Sequence, residues 1–126
     1  MPPITDKMVL IKVSKFVEIL TKECQCQVED ISAEEFLAMA CASWRIDTHK
    51  ANQYPYAAAV YKNKIYAVFD VKRWVGYEKI NHKHPNDNRS RFVGSTNEKL
   101  TKKYYRENVA DLYGKKGSRK TIAFKE

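Results

Sequence analysis

From Tyr56 to Trp74 the chain reads YAAAVYKNKIYAVFDVKRW, two apolar stretches around a Lys-Asn-Lys turn that end in two cations and a tryptophan. The pattern predicts a β-hairpin with strands Ala57 to Tyr61 and Ile65 to Val71 and a turn centred on Asn63-Lys64. Asn tolerates the positive φ that tight hairpin turns require. The second strand is apolar at Ile65, Tyr66, Ala67, Val68, Phe69 and Val71. A run of that kind belongs to a strand covered on both faces rather than to an edge. Trp74 is expected to close the end of the core, with Lys72 and Arg73 facing outward.

Other elements follow by the same reading. Met8 to Val13 is a first strand, and the apolar residues Phe16, Val17, Ile19 and Leu20 fit either a short helix or an extension of that strand. Ser32 followed by Ala33-Glu34-Glu35-Phe36 is a serine cap with a glutamate at the third helical position. The stripe Phe36, Leu37, Ala40, Cys41, Trp44 then predicts a helix ending near Trp44 or Ile46. Residues 47–55 read as a polar linker, and Tyr77 to Ser90 as a long hydrophilic loop. Arg91 to Gly94 is a short strand, Glu98 to about Tyr113 a helix stopped by Gly114, and Thr121 to Phe124 a last strand. The order β-α-β-β-β-α-β describes one α+β domain over residues 1–126, a small, mostly antiparallel sheet with two to three flanking helices.

Charge changes the picture. The 126 residues carry a formal net charge of +8. Residues 1–48 hold five Lys/Arg and eight Asp/Glu, a net of −3, while residues 49–126 hold eighteen and seven, a net of +11. Such asymmetry favours a polyanionic partner, because the field of the basic part steers it toward phosphate. Lys72 and Arg73 after the hairpin, Arg89 and Arg91 after the loop, and Lys115, Lys116, Arg119 and Lys120 before the last strand all fall at strand ends or turns. Arg offers a planar fork for phosphate and Lys a mobile point charge, so cations placed this way suit a nucleic-acid backbone. Interleaved aromatics are candidates for stacking on unpaired bases.

Catalytic signatures are sparse. The four glycines form neither a phosphate loop nor a dinucleotide fingerprint. His82, His84 and Asp87 are the one arrangement that a small metal-dependent nuclease would use, and two histidines at i, i+2 need further ligands. Cys24, Cys26 and Cys41 lack the spacing of a zinc knuckle or a redox pair. Asp6, Lys7, Lys12 and Lys15 interrupt the first segment, so no signal peptide is expected, and no run approaches membrane-spanning length. These features predict a reduced cytoplasmic protein with no metal, no cofactor and no membrane partner.

Several stretches resemble a group of short bacterial and phage proteins: Ile31 to Phe36 leading to Ser43-Trp44-Arg45; Ala59 to Lys62 leading to Val68 through Trp74; Arg89 to Gly94; and Tyr104 to Val109, with Gly117 before a closing strand. The resemblance covers nearly the whole chain. It departs where that group usually has Gly in the hairpin turn, here Asn63, and Asn-Pro before the last strand, here Lys120-Thr121. The hairpin with basic loops also looks like PUA-like β-barrels of the ASCH and EVE type, in which a barrel flanked by helices reads RNA or a modified DNA base. That likeness implies a base pocket between Trp44-Arg45 and the strands near Tyr56 and Trp74, with Arg89 and Arg91 on its rim.

The sequence therefore predicts a non-catalytic nucleic-acid-binding domain. Arg45, Lys72, Arg73, Arg89, Arg91, Lys115, Lys116, Arg119 and Lys120 are its expected backbone contacts, and Trp44, Tyr56 and Trp74 its stacking candidates. A module docking an acidic protein, such as a phage-type inhibitor or accessory subunit, is the alternative. A homo-oligomer joining the acidic residues of segment 18–35 to the basic face of a second copy is another use of the same charge split.

Overall fold

The computed structural model describes residues 6–41, 44–46, 48–76, 89–113 and 122–125. Its strands are β1 (Met8–Lys12), β2 (Trp44–Arg45), β3 (Tyr56–Tyr61), β4 (Lys64–Gly76), β5 (Arg89–Thr96) and β6 (Ile122–Lys125). Its helices are α1 (Ser14–Cys24), α2 (Ala33–Ala40), α3 (Thr48–Ala51) and α4 (Glu98–Tyr104), with 3-10 turns at Val28–Asp30 and Ala110–Tyr113. The strands form one sheet in the order β2-β5-β4-β3-β1-β6. Among the described residues only β1 and β3 are parallel, so the α+β architecture with a mostly antiparallel sheet holds. Among the described residues the sheet is open, running from β2 to β6, and does not close into the barrel that the PUA-like likeness implied.

Alternation along the strands splits the core in two. Val9, Ile11, Ala57, Phe69, Trp74 and Phe92 face the layer of α1, α2 and α3. Met8, Leu10, Ala58, Val60, Ile65 and Val68 face α4 and the turn at Ala110–Tyr113. With helices on both sides, the middle strands are apolar at consecutive positions, as the sequence of β4 required.

Local chemistry sets the boundaries. Segment 15–24, which pattern alone left open, is helical: Val13 N–H still bonds Val60 O at 2.9 Å, and the helix starts immediately after it. It ends at Gln25 in the left-handed region, φ 54°. For α2, Ser32 Oγ accepts from Glu35 N–H at 3.2 Å while Glu35 Oε1 accepts from Ser32 N–H at 3.0 Å. This is the reciprocal cap that the sequence predicts. The helix stops at Ala40 rather than near Trp44, because Trp44 has joined the sheet and its indole N–H donates to Ala40 O at 2.6 Å, supplying an end carbonyl with a partner.

The hairpin turn lies one residue earlier than expected. Lys62 and Asn63 are its two central residues, with φ of 49° and 64°, and Tyr61 pairs with Lys64. Both positive values are those of a type I′ turn, whose twist matches the flanking strands. The predicted long helix after Glu98 ends at Tyr104. Arg106 turns to φ 65°, and the backbone then bonds the turn end of the hairpin: Ile65 N–H to Glu107 O at 3.0 Å and Val109 N–H to Asn63 O at 2.7 Å. These bonds replace the helical ones. The polar linker contains α3, and β5 is longer than the strand expected from Arg91 to Gly94.

Candidate functional site

The strand β4 does not stop at Val71. It runs on through Lys72, Arg73 and Trp74 to Gly76 and pairs with β5 over that length. What hides this continuation in the sequence is a bulge. Val71 pairs with Gly94 and Arg73 with Val93, leaving Lys72 as the extra residue. The strands pass closely here: a Cβ on Gly94 would lie 2.0 Å from the Asp70 carbonyl oxygen, so glycine is required. The bulge restores parity, so that Trp74 lands beside Phe92 on the α1–α3 face and Arg73 on the other.

The two faces of this β4–β5 ribbon differ sharply. On the α1–α3 side, Ser90, Phe92 and Trp74 are all buried. On the α4 side, Arg73 and Arg91 are exposed and Val75 and Val93 half-buried, and α4 itself packs farther back, bonding Val68 through Thr101 Oγ1 at 2.9 Å. The register pairs Val75 with Arg91 and Arg73 with Val93, so the two arginines alternate with two valines in a checkerboard. Lys72 is exposed at the bulge. At the sheet edge Arg45 of β2 pairs with Arg89 of β5. Among the described residues Lys72, Arg73 and Arg91 have no ion-pair partner.

Five of the nine predicted backbone contacts thus fall at one end of one sheet. Lys115, Lys116, Arg119 and Lys120 lie outside the described residues, as do His82, His84 and Asp87. The stacking candidates are divided. Trp74 is 4 % exposed, with its ring centroid 5.1 Å from that of Phe92, so it is a core ring. Trp44 is half-buried on the same face, edge-on to Phe16. Tyr56 alone belongs to the arginine side: it is half-buried and packs with the Met8, Leu10 and Ala58 cluster. The pocket that the PUA-like likeness implied between Trp44, Tyr56 and Trp74 is therefore not assembled, because the sheet stands between Tyr56 and the two tryptophans.

Sequence reasoning passed over Asp70. It pairs with Tyr56 on one side and Ser95 on the other, and its Oδ1 accepts from Asn97 Nδ2 at 2.9 Å. Its signal in the sequence is a lone carboxylate within the apolar run Ile65 to Val71. Tyr105 was also missed; it is 44 % exposed and edge-on to Tyr66, at the hairpin-turn end of the sheet, away from the arginines.

The thiols offer little chemistry. Cys24 is exposed, Cys26 and Cys41 are half-buried, and all three are free. Burial and the adjoining Cys24 thiol push the Cys26 thiol up, away from the thiolate form that a nucleophile needs. Among the described residues no group of three His, Cys, Asp or Glu could hold a metal ion, and no helix is long and apolar enough to cross a membrane. Comparison with protein-family models, with curated proteins and with solved structures finds no match to this chain.

Proposed function

We propose that the chain is a non-catalytic nucleic-acid-binding domain and that the open face of β4 and β5 carries the phosphate backbone. The observation behind this reading is the pair of exposed cations on that face, Arg73 and Arg91, with Lys72 exposed at the adjoining bulge, all three without carboxylate partners among the described residues, next to the register pair Arg45 and Arg89. Cations held by a rigid sheet and not neutralised internally exchange their counterions for phosphate, the main source of affinity in such interfaces. Val75 and Val93, paired with Arg91 and Arg73, are half-buried and bring no carboxylate of their own to the face. Residues 49–126, which include Lys115, Lys116, Arg119 and Lys120, carry a net +11, a balance that favours a polyanionic partner. Three free thiols suit the reducing cytoplasm, where nucleic acid is at hand.

A salt titration of binding to fluorescent single- and double-stranded DNA and RNA tests this reading. Affinity should fall linearly with the logarithm of salt, by roughly 0.9 for each duplex phosphate neutralised. Absence of binding at low salt would sink the proposal, and an acidic protein would then be the partner to seek.

A further inference from the structure

We infer that the open face takes single-stranded nucleic acid, with one base laid against Tyr56 and its amino edge turned to Asp70. This inference rests on the reading of that face as a nucleic-acid interface and specifies which strand form it accepts and how.

The argument begins with a carboxylate in the wrong place for a phosphate track. Asp70 is exposed on the same face as Arg73 and Arg91, close to the arginine checkerboard along β4. A phosphate path crossing it would meet like charge, so the backbone is confined to the Arg73–Arg91 end. What faces Asp70 must instead be a group that donates hydrogen bonds. The carboxylate accepts only, and of its two oxygens Oδ1 takes Asn97 Nδ2 at 2.9 Å, while Oδ2 has no partner among the described residues.

Tyr56 supplies the platform. It stands opposite Asp70 across the β3–β4 pair, where facing side chains are about 5 Å apart at Cβ. That is within the width of one base. Among the described residues it is the half-buried aromatic of this face, and it packs against the Met8, Leu10 and Ala58 cluster. A base stacked on the outer side of the ring would present its edge to Asp70 and its sugar-phosphate toward Arg73. A duplex cannot do this, since its base faces are already stacked on one another; it would use the arginines alone. Adenine, cytosine and guanine carry exocyclic amino donors for the carboxylate, whereas thymine and uracil offer a single N–H between two carbonyl oxygens that would face the negative charge.

The experiment is fluorescence anisotropy on oligonucleotides of about 12 nucleotides, a length within the range one such surface spans. Oligo-dC, oligo-dA, oligo-dT and a mixed duplex would be titrated with the full chain and with Tyr56→Leu, Tyr56→Phe and Asp70→Ala. The wild type should bind dC and dA more tightly than dT, and single strands more tightly than duplex. Tyr56→Leu should lose about tenfold on single strands and little on duplex, while Tyr56→Phe, which keeps the ring, should retain binding. Asp70→Ala should weaken dC while leaving or improving dT, a crossing that a merely misfolded variant cannot produce. Equal affinity for all four ligands with Tyr56→Leu unchanged would overturn the inference yet leave the phosphate-binding face standing. No binding of any ligand by the wild type would remove both.

Discussion

Arg73 and Trp74 are consecutive in β4 and serve opposite sides of one sheet: Trp74 is 4 % exposed against Phe92, and Arg73 is exposed beside Val93. The peptide between them separates what the fold needs from what the proposed interface needs. Trp74→Ala should cost about 3–5 kcal/mol of stability through the cavity it leaves. Arg73→Ala with Arg91→Ala should change stability by about 0.5 kcal/mol or less per residue, yet lower the salt slope of oligonucleotide binding by about two. Urea unfolding and salt-dependent anisotropy on the same samples check the separation. An unchanged slope in the double variant would move the interface elsewhere.

Gly94 holds that geometry. Any side chain there would enter the Asp70 carbonyl, with Cβ 2.0 Å from the oxygen and 3.1 Å from its carbon. Neither neighbour is a flexible side chain that can step aside, so the two strands must part. Gly94→Ala should therefore cost more than about 2 kcal/mol, well beyond the usual strand effect of replacing glycine, and should shift the amide resonances around Lys72. A variant with wild-type stability would show that the bulge is less tightly paired than described.

Legibility in the sequence followed the range of the interactions. The Ser32–Glu35 cap is written within four residues and was readable. The buried run Ile65 to Phe69 announced a central strand in the same way. The end of the helix at Tyr104 was not readable, because the competitors for its backbone, Asn63 and Ile65, belong to a hairpin far back in the chain. Lys72 concealed the rest of β4: two adjacent cations after a hydrophobic run look like a strand exit, and only pairing with Gly94 and Val93 reveals a bulge with the strand continuing. For the same reason the aromatics could not be sorted by face. Composition shows that Tyr56 and Trp74 exist; parity through the bulge decides that they face opposite ways.

The type I′ turn makes its own prediction. Lys62 and Asn63 both sit at positive φ, which costs L-residues roughly 1–2 kcal/mol unless the side chain is Asn, Asp or Gly. Asn63→Gly should preserve stability or raise it slightly, since Asn-Gly and related pairs suit this turn. Asn63→Ala should lose about 1 kcal/mol without touching oligonucleotide affinity, because the turn lies at the opposite end of β4 from Arg73. Thermal unfolding of the two variants alongside the wild type measures both effects. Equal losses in both would mean that the Asn63 side chain, rather than its backbone angle, is what the turn uses.

Tyr113 gives a pH-dependent test. Its ring is 3 % exposed, lies under the Lys12 ammonium at 4.3 Å, and its hydroxyl is buried with no hydrogen-bond partner among the described residues. Burial penalises the phenolate and pushes the phenol well above its ordinary value near 10. The folded state therefore holds this proton after the unfolded chain has released it. The resulting contribution is fully present below about pH 10 and is lost as pH rises toward the folded value, by up to about 1.4 kcal/mol per unit. Tyr113→Phe keeps the ring and its cation contact while removing the unpartnered hydroxyl, so it should stabilise the protein by about 1 kcal/mol at pH 7. Its advantage should grow above pH 10, because the variant lacks the titration that weakens the wild type. Urea unfolding at pH 7, 10 and 11 reads the difference, which cancels the common titration of Tyr66 and the lysines. A constant gap across the three values would show that the phenol ionises equally in both states, and a loss of stability at pH 7 would show that the hydroxyl has a partner after all.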